Sequence, residues 1–181
     1  MMKTKIRDMT QIAVFAAITA ISAWIIVPAY IPFTMQTFAV FLAAGVLSTK
    51  KAVFAVLVYI MLGILGLPVF SGGKAGLGII FGETGGYKMG FVPAVCLCGK
   101  LSQKIKHRNS LFLSMIFGLL VIYTLGVLWF WVVYSPGDMS RANLLFAIGG
   151  MLPFIIPDII KIALATVIAG QLKRRTNLFC Y

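Results

Sequence analysis

Two opposite charges, Asp158 and Lys161, stand three residues apart in the apolar run Leu152-Pro-Phe-Ile-Ile-Pro-Asp-Ile-Ile-Lys-Ile-Ala-Leu164. Residues at i and i+3 share a helix face, so each charge can offset the other's loss of water. Alone at the centre of a membrane helix, each would cost about 2.5–3.5 kcal/mol. An acid and a base that face a cavity together can bind a neutral polar group and an anion at once. Turned into packed apolar side chains, the same pair would only fix helix packing. Pro153 and Pro157 each remove a backbone donor and can free carbonyls towards such a cavity.

A second group of residues lies in two irregular stretches, Pro28-Ala-Tyr-Ile-Pro-Phe-Thr-Met-Gln36 and Ser71-Gly-Gly-Lys-Ala-Gly-Leu-Gly-Ile-Ile-Phe-Gly-Glu-Thr-Gly-Gly-Tyr87. Phe33, Thr34, Gln36 and Tyr87 combine aromatic surface with a hydroxyl, an amide and a phenol, a set suited to a small ring carrying hydrogen-bonding groups. Gly85 and Gly86 can present backbone N–H groups to an anion at the start of a helix. The glycines are not a nucleotide cradle. Gly73-Lys74 would need a glycine where Pro68 stands, and after Gly76 and Gly78 the third glycine of a dinucleotide fingerprint is Phe81.

Metal and disulfide chemistry find little support. Cys96 and Cys98 point to different helix faces, Cys180 is in the tail, His107 is alone in a basic loop, and no four-ligand pattern exists. No cofactor is expected. An intramembrane enzyme would need an acid–base, metal or Ser–His constellation beyond Asp158 and Lys161, and none is present.

The elements that must position these residues follow from composition. Of the 181 residues, 61% are hydrophobic and 11% charged, against about 25% charged in soluble domains. A chain of this size cannot bury that much apolar surface in water, so the sequence predicts an all-α integral membrane protein of one domain, residues 1–181. Six apolar segments are expected, at 9–27, 36–49, 52–68, 86–100, 110–134 and 144–172. The first, behind Lys3, Lys5 and Arg7, is expected to stay as a helix, because no clean cleavage site follows it.

The net charge of +12 tests this count. With both termini cytoplasmic, 12 of the 16 Lys and Arg fall inside: Lys3, Lys5, Arg7, Lys50, Lys51, Lys100, Lys104, Lys106, Arg108, Lys173, Arg174 and Arg175. Lys74, Lys88 and Arg141 fall outside, as the positive-inside rule expects of six spans. The basic residues cluster between apolar runs rather than on a solvated face, so no nucleic acid is expected as partner. The outer connections are then 28–35, 69–85 and 135–143. The first two are too apolar for free solvation and too rich in Gly and Pro for regular helix, so they should fold over something. Trp129, Trp131 and Tyr134 read as an interfacial belt. Ala13, Ala16, Ala17 and Ala20 form two overlapping A-x-x-x-A spacings that let another helix approach closely, inside the fold or from another subunit.

Four ordered motifs, Pro32-Phe-Thr-Met-Gln-Thr-Phe38, Gly66-Leu-Pro-Val-Phe-Ser-Gly-Gly73, Thr84-Gly-Gly-Tyr-Lys-Met-Gly-Phe91 and Leu152-Pro-Phe-Ile-Ile-Pro-Asp-Ile-Ile-Lys161, resemble the BioY family. Its members are biotin-specific substrate-binding (S) components of energy-coupling-factor (ECF) transporters. The resemblance implies a six-helix S-component fold with one biotin near the external face. It also implies a multi-pass protein of the cell membrane, with a transmembrane coupling subunit and two ATPase subunits as partners. By position, the family's acid and base fall on Asp158 and Lys161, and its loop contacts on Phe33 to Gln36 and Gly85-Gly86-Tyr87. The alanine face of helix one would meet the coupling subunit. Lys88 departs from the family pattern, which is apolar there. Which end of biotin meets Asp158 and which Lys161 is open from sequence. A self-sufficient ion-coupled carrier for a small carboxylated vitamin is the competing reading; it would normally show repeated halves with paired broken helices, and no such repeat is evident.

Overall fold

The computed structural model describes residues 2–27, 33–104, 109–134, 145 and 147–175. The expectations for Cys180, His107 and most of the 28–35 and 135–143 connections lie outside these residues. Among the described residues the fold is built on helices: α1 (Met2–Ser22), α2 (Gln36–Val46), α3 (Thr49–Ile64), the short α4 (Leu77–Phe81), α5 (Gly85–Lys104), α6 (Ser110–Tyr134) and α7 (Leu152–Arg175). A two-residue antiparallel ribbon, β1 (Ile26–Val27) with β2 (Phe33–Thr34), pairs Ile26 with Thr34 and Val27 with Phe33.

The six apolar segments all become helix, with shifted ends. α1 starts earlier than expected because Met, Lys and Arg are good helix formers, so the helix runs on through its basic first residues. It also ends earlier, where the chain turns into the ribbon. The stretch expected to be irregular contains a turn of 3₁₀ helix at Ser71–Gly73 and the single turn of α4. Two of the helical stretches, Ser110–Val133 and Ala147–Arg175, are by themselves long and apolar enough to cross a bilayer. α2, at 11 residues, rises only about 16 Å, roughly half of the hydrocarbon thickness.

Short as it is, α2 is the centre of the fold. It is apolar on every side, which is the pattern of a buried helix, and Ala39 to Val46 are all buried. α7, α5, α1 and α3 pack around it, and α5 and α6 form the most extensive helix pair. The outward faces are apolar too: Leu113, Phe117, Leu120 and Leu128 on α6, and Ile156, Ile160, Leu164 and Val167 on α7. Exposed apolar stripes of this length mark a surface made for lipid or for other helices.

The loop between α3 and α5 folds back over the helix ends. Gly66 at φ 100° and Gly76 at φ 93° make left-handed turns that a side chain would strain. Both amides return to the carbonyl of Gly63, at 3.2 and 2.7 Å. Phe70, fully buried, packs edge-to-face on Tyr59 with ring centroids 5.8 Å apart. The loop is tied to the end of α1, where Trp24 Nε1 donates to the Pro68 carbonyl at 3.1 Å.

Candidate functional site

α7 presents two faces. Asp158, Lys161, Ile162, Ala165 and Ala169 recur every three or four residues on the buried side, opposite the exposed stripe of Ile156, Ile160 and Leu164. The charged pair therefore faces the protein, and the side chains of Asp158 and Lys161 are only 4% and 5% exposed. Pro157, inside α7, lacks the N–H that would have bonded the Pro153 carbonyl one turn earlier.

The carboxylate is held from three sides. Lys161 Nζ lies 3.0 Å from Asp158 Oδ1, Thr37 Oγ1 donates to the same oxygen at 2.9 Å, and Tyr123 Oη donates to Oδ2 at 2.6 Å. A carboxylate offers about four lone-pair sites, so roughly one is left for a further donor. The ammonium is more fully engaged. Its three protons meet Asp158 Oδ1, the Thr34 carbonyl at 2.6 Å and Thr37 Oγ1 at 3.2 Å. The β-ribbon thus has a definite purpose: it delivers the Thr34 carbonyl to Lys161.

Gln36, at the first turn of α2, is the hub of a second network. Its side-chain oxygen accepts from Thr34 Oγ1 at 2.9 Å and from Ser71 Oγ at 3.1 Å, while its amide nitrogen donates to the Tyr59 hydroxyl. One amide therefore links the ribbon, the glycine-rich loop and α3. The backbone N–H of Gln36 closes the ribbon's end on Thr34 Oγ1 at 3.3 Å.

These groups surround a cavity lined also by Tyr87, Lys88, Phe91, Ile122 and Phe154. Its walls are largely apolar and aromatic, with polar groups concentrated at Asp158–Lys161 and around Lys88. Tyr87 leans on Gly126, where an added Cβ would overlap its ring, and its hydroxyl is buried with no hydrogen-bond partner among the described residues. A second cavity adjoins the first and shares Ser71, Thr84 and Lys88 with it.

The structure brings Asp158, Lys161, Tyr87, Gln36 and Thr34 together on one cavity. Gly85 and Gly86 stand between two lining residues, Thr84 and Tyr87, without lining the cavity themselves. A Cβ on Gly85 would strike the Ile80 carbonyl oxygen, and one on Gly86 would strike Trp129 Cβ; the Gly85 N–H is spent on the Gly82 carbonyl at 3.0 Å. Their position serves the close approach of α5 to α6. Phe33 contributes its backbone to the ribbon; its side chain is outside the described residues. Trp129 is also an anchor, since its Nε1 donates to the Gly82 carbonyl at 2.9 Å. The alanine face divides: Ala16 and Ala20 turn inward against the core, Ala13 and Ala17 outward.

Sequence reasoning did not single out Tyr123 or Thr37, which hold Asp158 from α6 and α2. Lys88 was visible only as an unexpected charge; it is 2% exposed and lines both cavities. Among the described residues, no group of three or more His, Cys, Asp or Glu could hold a metal ion.

The model of the BioY family matches residues 1–178. This chain belongs to the BioY family. A probable biotin transporter BioY of Pyrococcus horikoshii is 39% identical over 173 residues, covering 95% of this chain and 99% of the relative. The biotin transporter BioY of Thermotoga maritima is 37% identical, with 93% and 96% covered. Among solved structures, the S-component for biotin from an ECF-type ABC transporter superposes with a TM-score of 0.85 at 26% identity, covering 98% of this chain and 95% of that one. BioY is a family of transporter components, not of enzymes, and its members are membrane proteins.

Proposed function

We propose that this BioY-family chain captures biotin within the cell membrane as the substrate-specificity subunit of an ATP-driven ECF importer. The observation that carries this reading is a buried acid–base pair on α7 lining a largely apolar cavity. Biotin has an apolar body with a polar ureido ring. Phe91, Ile122, Phe154 and the ring of Tyr87 suit the body. The remaining lone pair of Asp158 suits a ureido N–H, and the unpartnered Tyr87 hydroxyl suits a second polar contact. Lys161, Thr34 and Gln36 hold this wall in shape, with Phe33 beside them in the ribbon. Gly85 and Gly86 set Tyr87 in place by letting α5 close on α6.

The chain acts as one domain, residues 1–181, crossing the membrane six times with both termini in the cytoplasm. The distribution of 12 basic residues on the inner side against Lys74, Lys88 and Arg141 on the outer supports that orientation. The sequence has no phosphate-binding motif of its own, so ATP hydrolysis falls to partners: two ATPase subunits joined through a transmembrane coupling subunit. The outward Ala13–Ala17 edge of α1 is a surface of small residues that such a subunit could approach closely. Isothermal titration of the purified full-length chain with biotin tests the reading. Binding tighter than micromolar is expected, and no heat of binding at micromolar biotin would sink it.

A further inference from the structure

Lys88 stands in α5, four residues after Thr84, and is among the most deeply buried large side chains. Its Nζ donates to Thr84 Oγ1 at 2.7 Å and lies 5.5 Å from the centroid of the Phe70 ring. It belongs to neither the Lys51–Asp8 nor the Lys161–Asp158 ion pair, and Glu83, which lines the second cavity with it, is not at ion-pair distance from it. A buried cation without an opposite charge is costly, and a hydroxyl and an aromatic face offset only part of that cost. Lys161 differs in every respect: it is paired, and its three donors are spent on the protein. Lys88 also occupies a different end of the cavity. Asp158, Lys161 and Tyr123 line the first cavity alone, whereas Lys88 stands where the two cavities meet, beside Ser71 and Thr84.

Building on the biotin reading, we propose that Lys88 receives the ligand's carboxylate, so that the ureido ring lies against Asp158 and the acid tail points to the glycine-rich loop. The anion supplies a counter-charge that no described residue gives Lys88 at ion-pair distance, and Lys88 becomes the residue that separates an acid from its neutral derivatives. Thr84 orients the ammonium for this contact through their hydrogen bond.

The test is titration of the full-length chain with biotin and with its uncharged primary amide. Wild type should prefer biotin by tenfold or more, about 1.4 kcal/mol. Lys88→Met should lose that preference while holding the amide within about twofold of wild type, which also shows that it is folded. Lys88→Arg should keep the preference. A preference that survives in both Lys88→Met and Lys88→Gln overturns the proposal, as does equal loss of both ligands in those two variants. A preference abolished by Lys161→Met but not by Lys88→Met moves the carboxylate to Lys161 and overturns it as well. Wild-type protein that binds neither ligand overturns the biotin reading itself, a result distinct from all of these.

Discussion

Tyr123 on α6 closes on Asp158 on α7 with a hydrogen bond of 2.6 Å, taking the one carboxylate oxygen that Lys161 does not hold. Bonds of this kind, with an ionised partner, are worth about 1.5–3 kcal/mol. Tyr123→Phe keeps the ring and removes the donor, leaving Oδ2 facing the cavity and free to turn. Biotin affinity should fall by roughly tenfold, measured by titration, with a lower melting temperature. Unchanged affinity would mean that Tyr123 serves only helix packing.

The pair itself separates folding from binding. Asp158→Asn takes from Lys161 the carboxylate at 3.0 Å, and Lys161→Met takes from Asp158 its ammonium; breaking a buried pair in this way costs about 3–5 kcal/mol. Combining the two removes both charges and should restore most of the lost stability, while biotin binding stays at least tenfold weaker than wild type. Melting temperature and titration read the two effects independently. A double variant that regains affinity along with stability would show the charges to be structural alone.

Gly126 is the floor beneath Tyr87, and a Cβ there overlaps the phenol ring. Overpacking of this kind costs about 1–3 kcal/mol. In Gly126→Ala the ring must move into the cavity it now borders, so affinity should drop several-fold. Gly126→Ala combined with Tyr87→Ala relieves the overlap, and melting temperature should recover relative to Gly126→Ala alone. No recovery would place the strain elsewhere.

Trp24 ties the glycine-rich loop to α1 through the Pro68 carbonyl at 3.1 Å. Removing that bond by Trp24→Phe should cost about 0.5–1.5 kcal/mol of loop docking. Because the loop carries Ser71 at the cavity edge, the expected result is faster release of biotin, seen by stopped-flow chase. An unchanged dissociation rate would mean that the loop is held by Phe70 and the backbone alone.

The helical plan and the charged pair were legible because each violates an expectation strongly. An uninterrupted apolar run has few places to go but hydrocarbon or a core, and Asp158 and Lys161 inside such a run need a partner and a reason. Tyr123 and Thr37 were not legible, since a tyrosine or threonine in an apolar helix looks like any packing residue. Their partner, Asp158, is 35 and 121 positions away in the chain, and only the packing of α2 and α6 beside α7 reveals the link. Gly85 and Gly86 carry a different ambiguity. A glycine pair before a helix fits an anion cradle and a close helix approach equally well, and the side chain of Trp129, more than forty positions on, shows that the close approach is present. Lys88 announced itself by type, but its meaning depended on which charges lay near it.

The division of the alanine face gives the last prediction, and it separates partner contact from internal packing on a single helix. Ala16 is 1% exposed and packs in the core beneath α1, so Ala16→Leu must push α1 off α3 or α2. It should destabilise the isolated chain by about 1–3 kcal/mol and weaken biotin binding as the fold loosens. Ala13 and Ala17 lie one turn apart on the outward edge, where a larger side chain meets nothing of the protein's own. Ala13→Leu with Ala17→Leu should leave melting temperature and biotin affinity near wild type, because apolar surface facing lipid can grow at little cost. If the coupling subunit seats on this edge, the same double variant loses the close approach that small residues permit. Co-purification with the coupling and ATPase subunits should then fail, and uptake should fall, although the purified chain still binds. Normal assembly in the double variant would move the partner contact to another face of the protein.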